Sequence, residues 1–180
     1  MRCFISIDLP EEVKKELAAV QSQIPKENAK ILNVNPEILH LTLRFLGEID
    51  DFKANKTKEI LNSLKVKKFK AKISKMGIFP SENFIRVVWI GLEPAEKFKE
   101  LHELIDNELE KINIQKDERF ESHVTLCRVK FIKDKKGFME KLKKIKVKEI
   151  EFNVDKISFK KSVLMPEGPV YEDISEIKLI

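Results

Sequence analysis

The chain has 180 residues, enough for one domain or for two small lobes sharing a core, and 42% of them are apolar. A protein of this size buries roughly 70% of the surface its unfolded chain exposes, so it needs no disulfide or metal staple. The 35 Lys and Arg against 30 Asp and Glu give a net charge of +5, which suits a thermophilic ion-pair surface and also a local basic cleft for a polyanion.

The elements alternate along the chain. Arg2 to Asp8 reads as an apolar strand that meets charge at once, without the apolar stretch and cleavage site of a signal peptide. Pro10 opens an amphipathic helix to about Gln21, with Val13, Leu17 and Val20 at helical spacing. A short strand over 29–32 precedes a strand over 38–46, Ile-Leu-His-Leu-Thr-Leu-Arg-Phe-Leu, whose alternation Gly47 closes. A helix over 51–64 turns Phe52, Ile60, Leu61 and Leu64 inward, and 67–76 pairs with 84–91 around Pro80-Ser81-Glu82-Asn83. After Pro94 a long helix over 95–111 carries Phe98, Leu101, Leu104, Ile105 and Leu109 on one stripe. Then come a strand over 123–130, a Lys-rich helix over 134–145, and one or two strands over 149–163. A turn at Met165-Pro166-Glu167-Gly168-Pro169 leads to a last strand from Val170.

Interleaved helices and hairpin signals predict an α+β fold with antiparallel or mixed sheets. The longest apolar run, Val87-Val88-Trp89-Ile90, falls far below the roughly 18 residues of a membrane span, so a cytoplasmic protein without membrane contact is expected. Cys3 and Cys127 then read as plain core thiols, with a disulfide between them the less favoured reading.

One pattern carries chemistry. The chain has three histidines and three threonines, and two of those histidines have a threonine two places on, then leucine: His40-Leu41-Thr42-Leu43 and His123-Val124-Thr125-Leu126. Chance would give the two His-x-Thr pairs about once in a thousand such compositions. On a strand His40 and Thr42 share one face, and Leu41 and Leu43 the other; the second copy repeats this. Two lobes with their open faces together would bring two imidazoles and two hydroxyls across a cleft. One imidazole can then act as base and the other as acid, while the hydroxyls hold phosphate oxygens. A lone His-x-Thr would be a half-buried pair without function; the duplication is what favours a site. His102 lacks the threonine and reads as a surface or packing residue. No His-Glu-x-x-His or cysteine pair at ligand spacing is present, so neither metal nor cofactor is expected.

His40 through Gly47, Ser122 through Lys130, and the opening Arg2-Cys3-Phe4-Ile5-Ser6-Ile7-Asp8-Leu9-Pro10 resemble the signatures of the 2H phosphoesterase superfamily. Within it they are similar to the RNA 2′,3′-cyclic phosphodiesterases, also called 2′-5′ RNA ligases or LigT-like proteins, and the likeness spans nearly the whole chain. The resemblance implies one bilobal domain over 1–180, with two pseudo-symmetric lobes whose antiparallel sheets face a V-shaped cleft. It implies action on RNA with 2′,3′-cyclic phosphate termini that releases 2′-phosphates, and a monomer is expected. His40 would be the general acid and His123 the general base, with Thr42, Thr125 and Arg128 on the phosphate.

Simple alternation puts Arg128 on the face opposite His123 and Arg44 on the face of His40, so Arg128 needs a bulge near Cys127. Phe4 and Phe45 fit the core, or a base stack. A 2′-5′ RNA ligase, using the same acid and base in reverse, and a non-catalytic RNA-binding module remain open alternatives.

Overall fold

The computed structural model describes residues 1–180. Four helices, α1 (Glu11–Gln23), α2 (Asp51–Ser63), α3 (Ala95–Glu110) and α4 (Lys135–Lys143), alternate with nine strands. The strands are β1 (Arg2–Asp8), β2 (Ala29–Asn33), β3 (His40–Glu48), β4 (Phe69–Ser81), β5 (Phe84–Glu93), β6 (His123–Ile132), β7 (Glu151–Val154), β8 (Lys156–Met165) and β9 (Gly168–Lys178). Every pairing is antiparallel, in the order β7-β4-β5-β6-β3-β1-β8-β9, with β2 beside the outer half of β6.

The order falls into two halves, β3-β1-β8-β9 and β6-β5-β4-β7, joined by a single residue pair, Leu41 with Val124. Each half contains one His-x-Thr strand. The strand after α2 crosses to pair with β5 of the second half, and β8 returns to pair with β1 of the first. Each lobe therefore depends on chain from the other half of the sequence, and one contiguous core of 37 buried residues runs through both.

The helices form where apolar spacing and capping agree. Asp50 accepts the Lys53 backbone N–H at 2.7 Å and starts α2, and Asp134 does the same for Gly137 at 2.9 Å in α4. Val13, Leu17 and Val20 are fully buried on α1, as their spacing predicts. On α2 the inward stripe is Ala54, Thr57 and Leu61; Phe52 lies nearly opposite on the helical wheel and is 68% exposed, against expectation. On α3 Leu104 faces outward, and the buried stripe takes His102 and Asp106 instead. Cys3 and Cys127 are free thiols in the core, and burial pushes Cys127 up to about 11. No helix is long and apolar enough to cross a membrane. Surface cations form short clusters such as Lys72 with Glu93 and Glu149, and Lys160 with Asp8 and Asp173.

Candidate active site

The pair Leu41–Val124 joins equivalent positions of the two motifs. Continued one residue each way, that antiparallel register sets His40 against Thr125 and Thr42 against His123. The two histidines then occupy one diagonal of a square and the two threonines the other. In a regular sheet, diagonal residues sit about 7–8 Å apart at the backbone, room for a phosphate between two imidazoles. The leucines and Val124 are buried on the helix-covered side, while His40, Thr42, His123 and Thr125 are only partly buried. The pairing of motif strands thus makes a cleft floor from four polar side chains.

Both imidazoles are oriented by the same device. His40 Nδ1 lies 2.8 Å from Ile38 O and His123 Nδ1 lies 2.7 Å from Glu121 O, each two residues upstream. A carbonyl only accepts, so each Nδ1 donates, and Nε2 is the nitrogen left for chemistry. Thr42 Oγ1, 3.0 Å from His40 Nε2, donates to it when His40 is neutral.

Aromatic rings flank each histidine in matching fashion. Phe4 and Tyr171 stand 5.1 and 5.4 Å from His40; Phe79 and Trp89 stand 5.1 and 6.0 Å from His123. Gly77 must lack a side chain, because a Cβ there would overlap the Trp89 indole. Asp8 is the register partner of His40 and accepts from Ser158 Oγ at 2.9 Å, with Lys160 Nζ at 3.1 Å.

These surroundings lower both histidines below their ordinary value. For His40 desolvation dominates, opposed by the Ile38 hydrogen bond and Asp8, and reinforced by Lys160 and His123. For His123 desolvation again outweighs the Glu121 carbonyl and carboxylate. A histidine held low in the folded state loses stability as pH falls, since the unfolded chain takes up its proton first. Relative to a His40→Asn/His123→Asn variant, the wild-type thermal midpoint should therefore fall as pH drops from above 6.5 toward the folded values. Parallel midpoints at all pH values would show that the rings are not desolvated.

Strict alternation first fails at the same place in each motif strand, just past the His-x-Thr. In β3, Ser6 pairs with Thr42 and Ile5 with Arg44, so Leu43 and Arg44 form a bulge. In β6, Trp89 pairs with Thr125 and Val88 with Cys127, so Leu126 and Cys127 form its counterpart. The bulge brings Arg128 to the face of His123 and Thr125, where it is exposed and close enough to act electrostatically on the Tyr171 hydroxyl. It also sends Arg44 away from the cleft, overturning the placement by parity. Arg44 is 7% exposed, and its Nε donates to Asp106 Oδ1 at 2.6 Å. Its other nitrogens donate to Phe45 O and Gln115 O. Phe45 comes to the cleft face opposite Phe4, 43% exposed under the Arg2 guanidinium, rather than into the core.

A buried side chain from the helical layer holds each bulge. His102 of α3 lies with Nδ1 2.7 Å from Leu43 O, and Gln21 Nε2 of α1 donates to Leu126 O at 2.7 Å. His102 is thus a packing residue with a definite task, 3% exposed and stacked on Phe120 at 4.5 Å. Sequence reasoning missed Gln21, Tyr171, Phe79, Trp89, Asp8 and Lys160 as neighbours of the site. Asp8 and Ser6 had a legible signal, since they alternate with apolar residues on β1; Tyr171 had none.

Two stretches of the chain, 7–89 and 90–171, each match the family model described as LigT like Phosphoesterase. A protein of Methanocaldococcus jannaschii named RNA 2′,3′-cyclic phosphodiesterase is 41% identical over 98% of this chain and 99% of its own length. One of Thermotoga maritima with the same name is 36% identical over 98% of this chain and 94% of its own. A crystal structure from Thermus thermophilus superposes with a TM-score of 0.82 at 29% identity, covering 99% of this chain and 98% of that one. The E. coli LigT complex with 3′-AMP shares the fold, with a TM-score of 0.79 at 21% identity over 99% and 97% of the two chains.

Proposed function

The chain belongs to the LigT-like phosphoesterase family, and from that premise we propose that it is an RNA 2′,3′-cyclic phosphodiesterase using His40 and His123 as its acid–base pair. The observation that carries the reading is the diagonal arrangement of two Nδ1-anchored imidazoles across one strand pair. Displacement at phosphorus needs the entering and leaving oxygens in line, so acid and base must stand on opposite sides of the phosphate. His123 takes a proton from water as water attacks phosphorus, and His40 delivers one to the departing 3′ oxygen. The P–O3′ bond breaks and a 2′-phosphate remains. Thr42, Thr125 and Arg128 donate to the non-bridging oxygens, where charge builds up. Asp8, opposite His40, favours the imidazolium that an acid needs.

One chain supplies both halves of this set, so a single two-lobed domain suffices as a monomer, acting on cytoplasmic RNA. Run in reverse with a 5′-hydroxyl as nucleophile, the same pair would join RNA ends through a 2′-5′ linkage. A purely RNA-binding role leaves the two oriented imidazoles without a task.

The direct test is an oligonucleotide ending in a 2′,3′-cyclic phosphate, incubated in EDTA with product identification. A 2′-phosphate is the expected product, at undiminished rate, because neither motif contains a metal-ligand set. A 3′-phosphate, or activity that returns only with added zinc or manganese, would defeat the proposal. The pH dependence should be bell-shaped, and the two limbs belong to the coupled pair. In kcat/KM, which reports the free enzyme, both limbs depend on histidines held low, so the optimum should lie on the acid side of 6.5. In kcat the bound phosphate favours imidazolium and moves the alkaline limb upward. A rate rising steadily to high pH would instead indicate hydroxide chemistry.

A further inference from the structure

The cleft face does not end at the histidines. From Cys127 onward β6 has β2 as its neighbour in place of β3, and the register fixes which side chains share the cleft face there. Leu32 pairs with Arg128, and Lys30 pairs with Phe131 across a second bulge. Lys30 and Leu32 are alternate residues of one strand, so Arg128, Leu32, Lys30 and Phe131 all lie on the side of His123. The opposite side of this segment carries Ile31 and Val129, which join the core. Phe131 is 59% exposed and Leu32 51% exposed, far more open than core packing would leave them.

On the other flank of β6, Val87 pairs with Arg128, and β5 continues back to the hairpin turn. Ile85 is buried in the core, so the adjacent Phe84 faces away from it; Phe84 is 51% exposed. The Arg86 guanidinium lies 4.3 Å from the Phe84 ring centroid, which leaves a planar cation stacked on a phenyl group at the hairpin end. Glu82, the acidic residue of the turn, is engaged by Lys143 at 3.5 Å. The second lobe thus presents two half-exposed phenyl rings and three free cations, Arg128, Lys30 and Arg86, on one face. Phe84 and Phe131 each lie three residues beyond the Arg128 row, about 7 Å along the sheet because a bulge intervenes in each strand.

We propose that this face is a single-stranded RNA track, on which nucleotides 5′ to the cyclic phosphate stack against Phe84 and Phe131 while Lys30 and Arg86 meet their phosphates. Planar exposed rings interleaved with cations are what a single strand needs, because every base offers a π-face and every link a negative charge. Continuity with Arg128 gives the track its direction, leading away from the reacting end. The assignment of the cyclic phosphate end to the histidines rests on the phosphodiesterase reading; the track itself does not.

The test compares a 2′,3′-cyclic mononucleotide with a hexanucleotide bearing the same terminus. In the wild type kcat/KM should favour the hexanucleotide, and Phe84→Ala or Phe131→Ala should each lower that ratio about tenfold. Lys30→Gln should flatten the salt dependence of hexanucleotide binding by roughly 0.7 in the log–log slope. Equal ratios in wild type and variants would overturn the track. Binding of a fluorescent hexanucleotide ending in 2′-phosphate, followed by anisotropy, requires no turnover and separates the two claims. Binding lost in the Phe variants of a chain that hydrolyses nothing would uphold the track and defeat the phosphodiesterase reading. Binding indifferent to both substitutions would overturn the track and leave the phenyl rings to a protein partner.

Discussion

His40→Ala and His123→Ala are each expected to lower kcat for cyclic-phosphate hydrolysis by about 10²–10⁴, with the fold intact. Each removes one of two proton transfers that occur in the same displacement. Because the two act as a unit, the double variant should be little slower than the slower single one. Independent effects would instead multiply. The fold should hold, since both rings are only partly buried on the open face of the sheet and stand outside the apolar core. Circular dichroism and thermal midpoints check the fold, and a rate within tenfold of wild type in either variant would refute the assignment.

Much of this was legible because the duplicated motif and strand alternation are local properties. Two His-x-Thr strands, with polar residues on one face and leucines on the other, suffice to predict an open cleft face and a covered core face. The structure agrees at Leu41, Leu43, Val124 and Leu126, all buried. What alternation could not supply was the bulge. In β6 the apolar doublet Leu126-Cys127 is a trace of it, since two adjacent residues are buried where a regular strand would bury one. In β3 the corresponding doublet is Leu43-Arg44, where the buried partner is a charged residue, and the pattern reads as unbroken. The long-range partners were equally out of reach. β1 finds β8 across about 150 residues, and that pairing delivers Lys160 to the side of His40, while β9, paired with β8, brings Tyr171. Likewise Leu104 fitted the α3 stripe on hydrophobicity, but the inward positions belong to His102 and Asp106, whose value lies in hydrogen bonds to the far side of β3. A periodicity argument counts apolar residues and cannot see a polar anchor.

Asp106→Ala should destabilise the protein by about 3–5 kcal/mol, because it removes the close counter-charge of the buried Arg44 guanidinium and leaves only the half-exposed Asp117 carboxylate, 3.8 Å away. For a chain of this size that corresponds to a thermal midpoint lower by roughly 10 °C or more. The carboxylate does two jobs: Oδ1 accepts from Arg44 Nε at 2.6 Å, and Oδ2 accepts the Asp117 backbone N–H at 2.8 Å. Arg44 in turn ties Phe45 O, beside the bulge, to Gln115 O in the loop after α3. Replacing both members, Arg44→Met with Asp106→Leu, should recover part of the loss by removing the buried charge. It should not recover all of it, since Phe45 O, Gln115 O and the Asp117 N–H lose their partners. Arg44→Met alone discriminates between the two placements of this residue. If Arg44 is the inward anchor of the bulge, its loss lowers the thermal midpoint and leaves KM for a cyclic mononucleotide near wild type at temperatures where the variant is folded. A raised KM with an unchanged midpoint would return Arg44 to the phosphate, as strand parity alone suggests, and would contradict the register that brings Arg128 and Phe45 to the cleft.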